Sequence, residues 1–131
     1  MRDALTASEY WNWQNRWPDL AQFAEDWATT PRPDWSSADD LIYGWLDSDP
    51  DRCLAAICAV AQLTDQPEII ASLAAGPLED FLGRHGETHI EVIKELSRTQ
   101  PSFFAVLTGV WQGSMPTLIW RQVEAICIGR R

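Results

Sequence analysis

Residues 49–63 read Asp-Pro-Asp-Arg-Cys-Leu-Ala-Ala-Ile-Cys-Ala-Val-Ala-Gln-Leu and contain the longest apolar run of the chain, Cys53 to Ala61. Asp49 suits the N-cap of a helix, and Pro50 suits the first helical position, where no amide donor is needed. Apolar side chains cover every side of such a helix. We therefore predict that this segment is the central, buried helix of the fold.

On the N-terminal side, the apolar residues recur at helical spacing. One stripe with 3,4,3,4,3 spacing contains Tyr10, Trp13, Trp17, Leu20, Ala24 and Trp27. Pro18 interrupts the stripe because it lacks an amide donor, so we expect two short helices or one kinked helix within residues 1–30. Pro31 and Pro33 then predict an extended linker over residues 31–36.

The remaining chain, residues 37–128, is the predicted helical core. Its first helix is expected from Ser37 to about Leu46. Further helix starts are predicted at Pro67, Pro77, Pro101 and Pro116. Gly76 and Gly86 are expected to end helices. We predict one all-α domain over residues 1–131, a compact stack of short antiparallel helical hairpins with about seven to eight helices, loosely similar to a helical repeat.

The charge of the chain restricts its partners. Ten basic residues stand against 19 acidic ones, which gives a formal net charge of −9. Residues 1–50 hold three basic and ten acidic side chains, whereas residues 101–131 hold three basic and one acidic. Such a surface repels phosphate groups, so we expect neither a nucleic-acid-binding protein nor a protein that binds anionic membranes. A basic protein is the expected partner.

The N-terminus and the cysteines indicate the compartment. The chain does not open with a basic segment followed by a continuous apolar stretch, and no apolar run reaches the roughly 20 residues of a membrane helix. Cys53, Cys58 and Cys127 are an odd number and form no C-x-x-C pair, so we interpret them as small core residues in a reducing environment. We expect a cytoplasmic protein without cofactor or metal.

Eight tryptophans are the most unusual feature of the composition, and six of them lie within the first 45 residues. Large rings substitute for several smaller side chains in a small core. This role is predicted for Trp13, Trp17, Trp27, Trp45 and Trp111. Trp11 lies off the helical stripe and Trp35 lies in the linker, so we expect these two to be exposed and to anchor a partner.

Aspartates are concentrated around the predicted helix at residues 37–46. Together with neighbouring aromatic residues they predict a partner-binding surface made of Asp34, Trp35, Asp39, Asp40, Tyr43, Asp47, Asp49 and Trp11. A second interpretation stays open for Asp39, Asp49 and Asp51, because carboxylates also cap helix N-termini and favour the helix dipole there.

Metal and catalytic motifs are incomplete. Asp47, Asp49 and Asp51 resemble the start of a calcium loop, but Arg52 replaces the required glycine and Cys58 the bidentate glutamate. His85-Gly86-Glu87-Thr88-His89 differs from the zinc motif H-E-x-x-H, and Gly86 is expected to break the helix between the imidazoles. No nucleophile elbow, P-loop or dinucleotide motif occurs. We therefore predict a protein that is not an enzyme.

Two segments carry a resemblance to a known family. They are Leu-Ala-Ala-Gly-Pro-Leu-Glu-Asp-Phe-Leu at 73–82, continued by Arg-His-Gly at 84–86, and Leu-Thr-Gly-Val-Trp-Gln at 107–112, followed by residues 115–126. Over residues 38–128 the chain resembles a small uncharacterised bacterial domain family. The resemblance implies a compact, intracellular helical domain and nothing about substrates.

These features favour a non-enzymatic, acidic binding protein. The leading hypothesis is an immunity protein or inhibitor that occludes a basic bacterial toxin such as a nuclease. The alternative is a helical-repeat adaptor that binds a peptide or helix in a groove of a larger bacterial assembly. A third hypothesis, an enzyme, requires His85 and either Glu87 or Glu91 to reach one open cleft.

Overall fold

The computed structural model describes residues 5–30 and 35–129. These residues form helices and connecting turns, with no strand among them. The α-helices are α1 (Ala7–Trp11), α2 (Leu20–Thr29), α3 (Ser37–Ser48), α4 (Pro50–Leu63), α5 (Pro67–Leu73), α6 (Glu79–Thr99), α7 (Pro101–Leu107) and α8 (Thr117–Gly129). The predicted all-α fold is confirmed.

Helix α4 is the centre of the molecule. Its N-cap is Asp49, whose Oδ1 accepts from the backbone amide of Arg52 at 3.3 Å, and Pro50 occupies the first turn. Every residue from Cys53 to Ala61 is buried. The helices that pack against it are α1, α2, α3, α5, α6 and α7. The predicted central helix is therefore confirmed. The other helices pack around α4, whereas in a stack of hairpins each hairpin would contact mainly its neighbours in the chain.

The N-terminal segment divides into short helices, as predicted. Thr6 and Glu9 form a capping box that starts α1. A 3₁₀ turn at Trp13–Asn15 follows, and α2 begins only after Pro18. Of the predicted linker, residues 31–34 lie outside the described residues, and Trp35 and Ser36 lead directly into α3.

The predicted helix ends at Gly76 and Gly86 and the predicted helix start at Pro77 are wrong. A π-helical turn, Ala74–Leu78, joins α5 and α6 into one continuous helical segment. Within the described residues, the eight α-helices therefore form seven separate helical segments. Gly86 lies buried inside the 21-residue helix α6. A Cβ atom at this position would lie 2.8 Å from Cγ2 of Ile119 on α8. The glycine therefore permits the close approach of α8 rather than ending a helix.

The predicted helix at residues 101–112 is shorter than expected. Helix α7 ends at Leu107, and Trp111, which was predicted to be a core residue, is exposed in the following turn. Within residues 5–30 and 35–129, none of the helices combines the length and the apolar character needed to cross a membrane.

Candidate functional site

Most of the predicted partner-binding residues lie on α3 or next to its ends. Asp34 lies outside the described residues. We call the exposed or half-exposed part of this group the α3 surface, which consists of Trp35, Asp40, Tyr43 and Asp47. Three other predicted residues have different surroundings and are described separately below, namely Asp39, Asp49 and Trp11.

Trp35 is the most exposed aromatic residue of the α3 surface, at 62%. Its ring stacks on Tyr43 with a centroid distance of 5.4 Å and an interplanar angle of 20°. Its Nε1 donates to Oδ1 of Asp40 at 2.8 Å. The ring is therefore held in one orientation, with one face on Tyr43 and a carboxylate at its edge. This arrangement confirms the predicted exposure of Trp35.

Tyr43 connects the α3 surface to α6. Burial raises the pKa of Tyr43 to about 12, and the carboxylates of Asp80 and Asp39 act in the same direction. Burial also raises the pKa of Asp80, and hydrogen bonding by Tyr43 opposes that change. A Cβ atom on Gly76 would lie 2.7 Å from the Tyr43 hydroxyl oxygen, so the glycine makes room for the phenol. The phenol thus stays a neutral hydrogen-bond donor.

Asp39 does not belong to the α3 surface, which corrects the prediction. The residue is only 3% exposed. Its Oδ1 accepts from Nε1 of Trp27 at 2.9 Å, and its Oδ2 accepts from the backbone amide of Ser36 at 2.8 Å in a capping box. The capping interpretation holds because both oxygens point into the fold, where they satisfy a buried indole and a helix start.

Asp47 and Asp49 also have partners within the fold, so the anionic surface is smaller than predicted. Asp47 is exposed but forms an ion pair with Arg84 of α6. Asp49 is the N-cap of α4 and is only partly exposed. Next to it, Arg52 pairs with Asp19 and lies over the Trp45 ring at 4.8 Å. Of the predicted carboxylates within residues 35–129, Asp40 is therefore the one that is exposed and outside an ion pair, and it lies at the N-terminal end of α3.

Trp11 was predicted to be exposed, and this is corrected. The ring is half-buried against the core, and its carbonyl oxygen accepts from Nε2 of Gln62 at 2.8 Å. Helix α1, which contains Trp11, packs on α4 and α6. Trp11 is therefore held by other contacts than those that hold Trp35 and Tyr43 on the α3 surface. Sequence position alone could not show this, because the residue lies off its own helical stripe and still reaches a neighbouring helix.

A second polar group, which the sequence analysis missed, lies beneath α1. We call it the Asp51 cluster: Oδ1 of Asp51 accepts from the Tyr10 hydroxyl at 2.6 Å and lies 3.2 Å from Nε2 of His89. These residues line a cleft of about 560 Å³ together with Glu91 and Glu95. The sequence contains no local signal for this cluster, because His89 lies 38 residues from Asp51 and reaches it only through the packing of α6 on α4.

His85 has different surroundings from His89. Its Nε2 lies 2.7 Å from the carbonyl oxygen of Leu46, and its ring packs beside Phe81 at a centroid distance of 5.4 Å. Glu91 lines the cleft together with His89, and Glu87 is exposed. His85 and Glu87 do not line this cleft, so it does not bring together the pair that the enzyme hypothesis requires.

Comparison with known proteins identifies one relationship. Residues 24–130 match a family described as a family of unknown function (DUF6869). No curated protein and no solved structure matches the chain. The match confirms the resemblance to an uncharacterised family and extends it on the N-terminal side to residue 24, within α2.

Proposed function

We propose that the chain, which belongs to this family of unknown function, DUF6869, is a non-enzymatic protein that binds a basic protein through the α3 surface. Trp35 is the central contact in this proposal. Asp40 supplies negative charge at the edge of its ring, and Tyr43 stacks on one face of the ring.

The observation that carries the proposal is the fixed, exposed indole beside a carboxylate. A lysine or arginine side chain of a partner can pack on the free face of Trp35 while its charged end meets Asp40. The stacking on Tyr43 and the hydrogen bond to Asp40 hold the ring before binding, so little side-chain freedom is lost in the complex. Aromatic residues held in this way are frequent hot spots of protein interfaces.

The charge of the whole chain supports the same partner. The hydrogen bond from the Trp35 indole comes from a neutral donor and leaves the negative charge of Asp40 in place. With a net charge of −9, the molecule attracts a cationic surface over distances of about a Debye length, roughly 10 Å at 0.1 M salt. Association should therefore be fast at low ionic strength and slower at high ionic strength.

The finer form of the proposal is that the partner is a toxin, such as a nuclease, and that this chain is its immunity protein or inhibitor. Nucleases bind phosphate groups with basic surfaces, so an acidic protein that covers such a surface blocks the substrate. Inhibition by occlusion needs no catalytic group on this chain.

Affinity capture with matched variants tests the binding proposal. The immobilised chain should retain a basic protein from the native cell at low salt and release it at high salt. Trp35→Ala should weaken binding about thirtyfold, and Asp40→Asn should weaken it less and only at low salt. Trp111→Ala, which removes another exposed indole, after the end of α7, is the control and should bind normally. Equal retention by Trp35→Ala and the control would exclude the α3 surface as the binding site.

The inhibitor proposal has its own test. Expression of the captured protein alone should arrest growth, and co-expression of this chain should relieve the arrest. Trp35→Ala should relieve it poorly although the variant is folded. If the captured protein is harmless, the binding proposal stands and the inhibitor proposal fails.

A peptide-binding adaptor is the second candidate, and a cleft favours it. The cleft has a volume of about 620 Å³ and lies between the C-terminal end of α4 and the starts of α5 and α7. Ile70 and Ala105 contribute apolar surface, and Gln62 and Asp65 contribute polar groups. Binding in this cleft should depend little on salt and should be lost in Ile70→Asp, a variant that leaves the α3 surface unchanged.

A further inference from the structure

Helix α8 has apolar residues on two opposite faces. Ile119 and Val123 are buried against the fold, where α8 packs on α6 and α7. Leu118 and Ile128 are nevertheless 74% and 66% exposed. A surface helix of a monomer usually carries polar residues on its outer face. The outer face of α8 therefore carries an exposed apolar side chain at each end.

The exposed residues form a single stripe. Leu118, Arg121, Ala125 and Ile128 follow a 3,4,3 spacing and all are exposed. At about 100° per residue, Arg121 points about 180° away from the mean direction of Ile119 and Val123. The stripe thus faces straight away from the core.

The stripe is complementary to itself in the antiparallel direction. With a two-fold axis at the level of Val123, Leu118 stands opposite the partner's Ile128, and Arg121 stands opposite the partner's Ala125. At a rise of about 1.5 Å per residue, Arg121 and the partner's Glu124 differ by only about 1.5 Å along the helix axis. Each arginine therefore meets the partner's carboxylate, and a small alanine accommodates its stem.

Two charged residues, Arg121 and Glu124, lie between the apolar ends of the stripe. Neither Arg121 nor Glu124 forms a hydrogen bond or an ion pair of its side chain with another residue in the described ranges. Both side chains are exposed, Arg121 on the stripe and Glu124 at its edge. The same helix on a second molecule offers the matching order of groups.

We propose that this face of α8 is the interface of a symmetric homodimer in which two α8 helices pack antiparallel. The contact is isologous, so it closes at two copies. A second copy is the occupant because the charges and the apolar ends are complementary to themselves and not to a uniformly basic or acidic surface. Dimerisation uses α8, which packs on α6 and α7, and leaves the α3 surface available for the partner.

Sedimentation measurements over a concentration series test the dimer. Arg121→Glu and Glu124→Arg should each raise the dimer dissociation constant about tenfold or more, because each places like charges in contact. The double variant Arg121→Glu/Glu124→Arg restores opposite charges in the reverse order and should recover the wild-type constant. Leu118→Ser should weaken the dimer, whereas Leu63→Ser, at another exposed leucine, should not.

The outcomes separate the proposal from its alternatives. A wild-type chain that stays monomeric at high concentration overturns it. A dimer that tolerates each charge reversal uses another surface and also overturns it, as does a double variant that remains as weak as the single ones. Thermal unfolding of each variant shows that the changed residues, all exposed, leave the fold intact.

Discussion

The α3 surface and the Asp51 cluster contain the same kinds of groups and differ in their contact with solvent. In the first, the exposed Trp35 donates to Asp40. In the second, the buried Tyr10 donates to Asp51. The neighbours Asp39 and Asp40 repeat the contrast within a single turn of α3, since one is buried and the other exposed. A carboxylate with an aromatic donor stabilises the fold in one setting and is open to a partner in the other.

The largest expected effect distinguishes the two neighbouring aspartates. Asp39→Ala removes the carboxylate that accepts from the Trp27 indole and from the backbone at the start of α3, so we expect a loss of about 3 kcal/mol in the free energy of unfolding. Asp40→Ala should cost less than about 1 kcal/mol. Urea denaturation of both variants measures the difference. If Asp39→Ala lost as little free energy of unfolding as is expected for Asp40→Ala, Asp39 would not be a structural residue.

The Asp51 cluster should respond to loss of its phenol. Tyr10→Phe removes the hydrogen bond to the part-buried Asp51 and should lower the free energy of unfolding by about 1.5 kcal/mol. Capture of the basic partner through the α3 surface should be unchanged in this variant. Reduced capture by folded Tyr10→Phe would show that the cluster takes part in binding, contrary to the proposed division.

Two glycines should respond with opposite signs. A Cβ on Gly86 meets Ile119 at 2.8 Å, so Gly86→Ala should destabilise the chain by about 1 kcal/mol despite its better helix propensity. A Cβ on Gly44, in α3, meets nothing within 4 Å, so Gly44→Ala should stabilise by about 0.5 kcal/mol. Thermal unfolding of the two variants compares them. A stabilised Gly86→Ala would contradict the close approach of α8 to α6.

The smallest effect is a pH dependence at the α3 surface. The pKa of Tyr43 is raised to about 12 in the folded chain from an ordinary value of 10.0. The folded chain keeps this proton where the unfolded chain loses it, so the contribution of Tyr43 to stability is complete below about pH 10 and is lost as the pH rises towards about 12. Tyr43→Phe should show a smaller fall in urea midpoint between pH 9 and 11 than the wild type. Tyrosinate absorbance of the folded wild type should show a late-titrating phenol that is absent from Tyr43→Phe.

Much of the fold could be predicted because local patterns determine helix starts. Asp49 and Pro50 begin α4, Ser36 caps α3, and Pro18 divides the N-terminal segment, all as the sequence indicates. Gly76 and Gly86 were misinterpreted because glycine also occurs where another side chain approaches closely, at Tyr43 and at Ile119. The sequence contains no local sign of such an approach.

The candidate site was predicted only in part, for a related reason. Trp35 and Asp40 lie five residues apart, and their hydrogen bond follows from chain proximity. Asp80 is 37 residues from Tyr43, and His89 is 38 residues from Asp51, so these contacts required the packing of α6 against its neighbours. Trp111 lies outside the core because α7 ends at Leu107, before the helical turn that would have placed the residue inside.

By itself, the sequence determined the all-α class, the central buried helix, the excess of acidic residues and the exposed Trp35. These properties depend on the period of apolar residues, on helix caps and on composition, which act over a few residues or over the whole chain. Tertiary structure alone decided which carboxylates are buried, that both histidines lie on one continuous helix, and that α8 keeps an apolar face outward. Burial depends on which surfaces meet, and residues distant in the chain determine that.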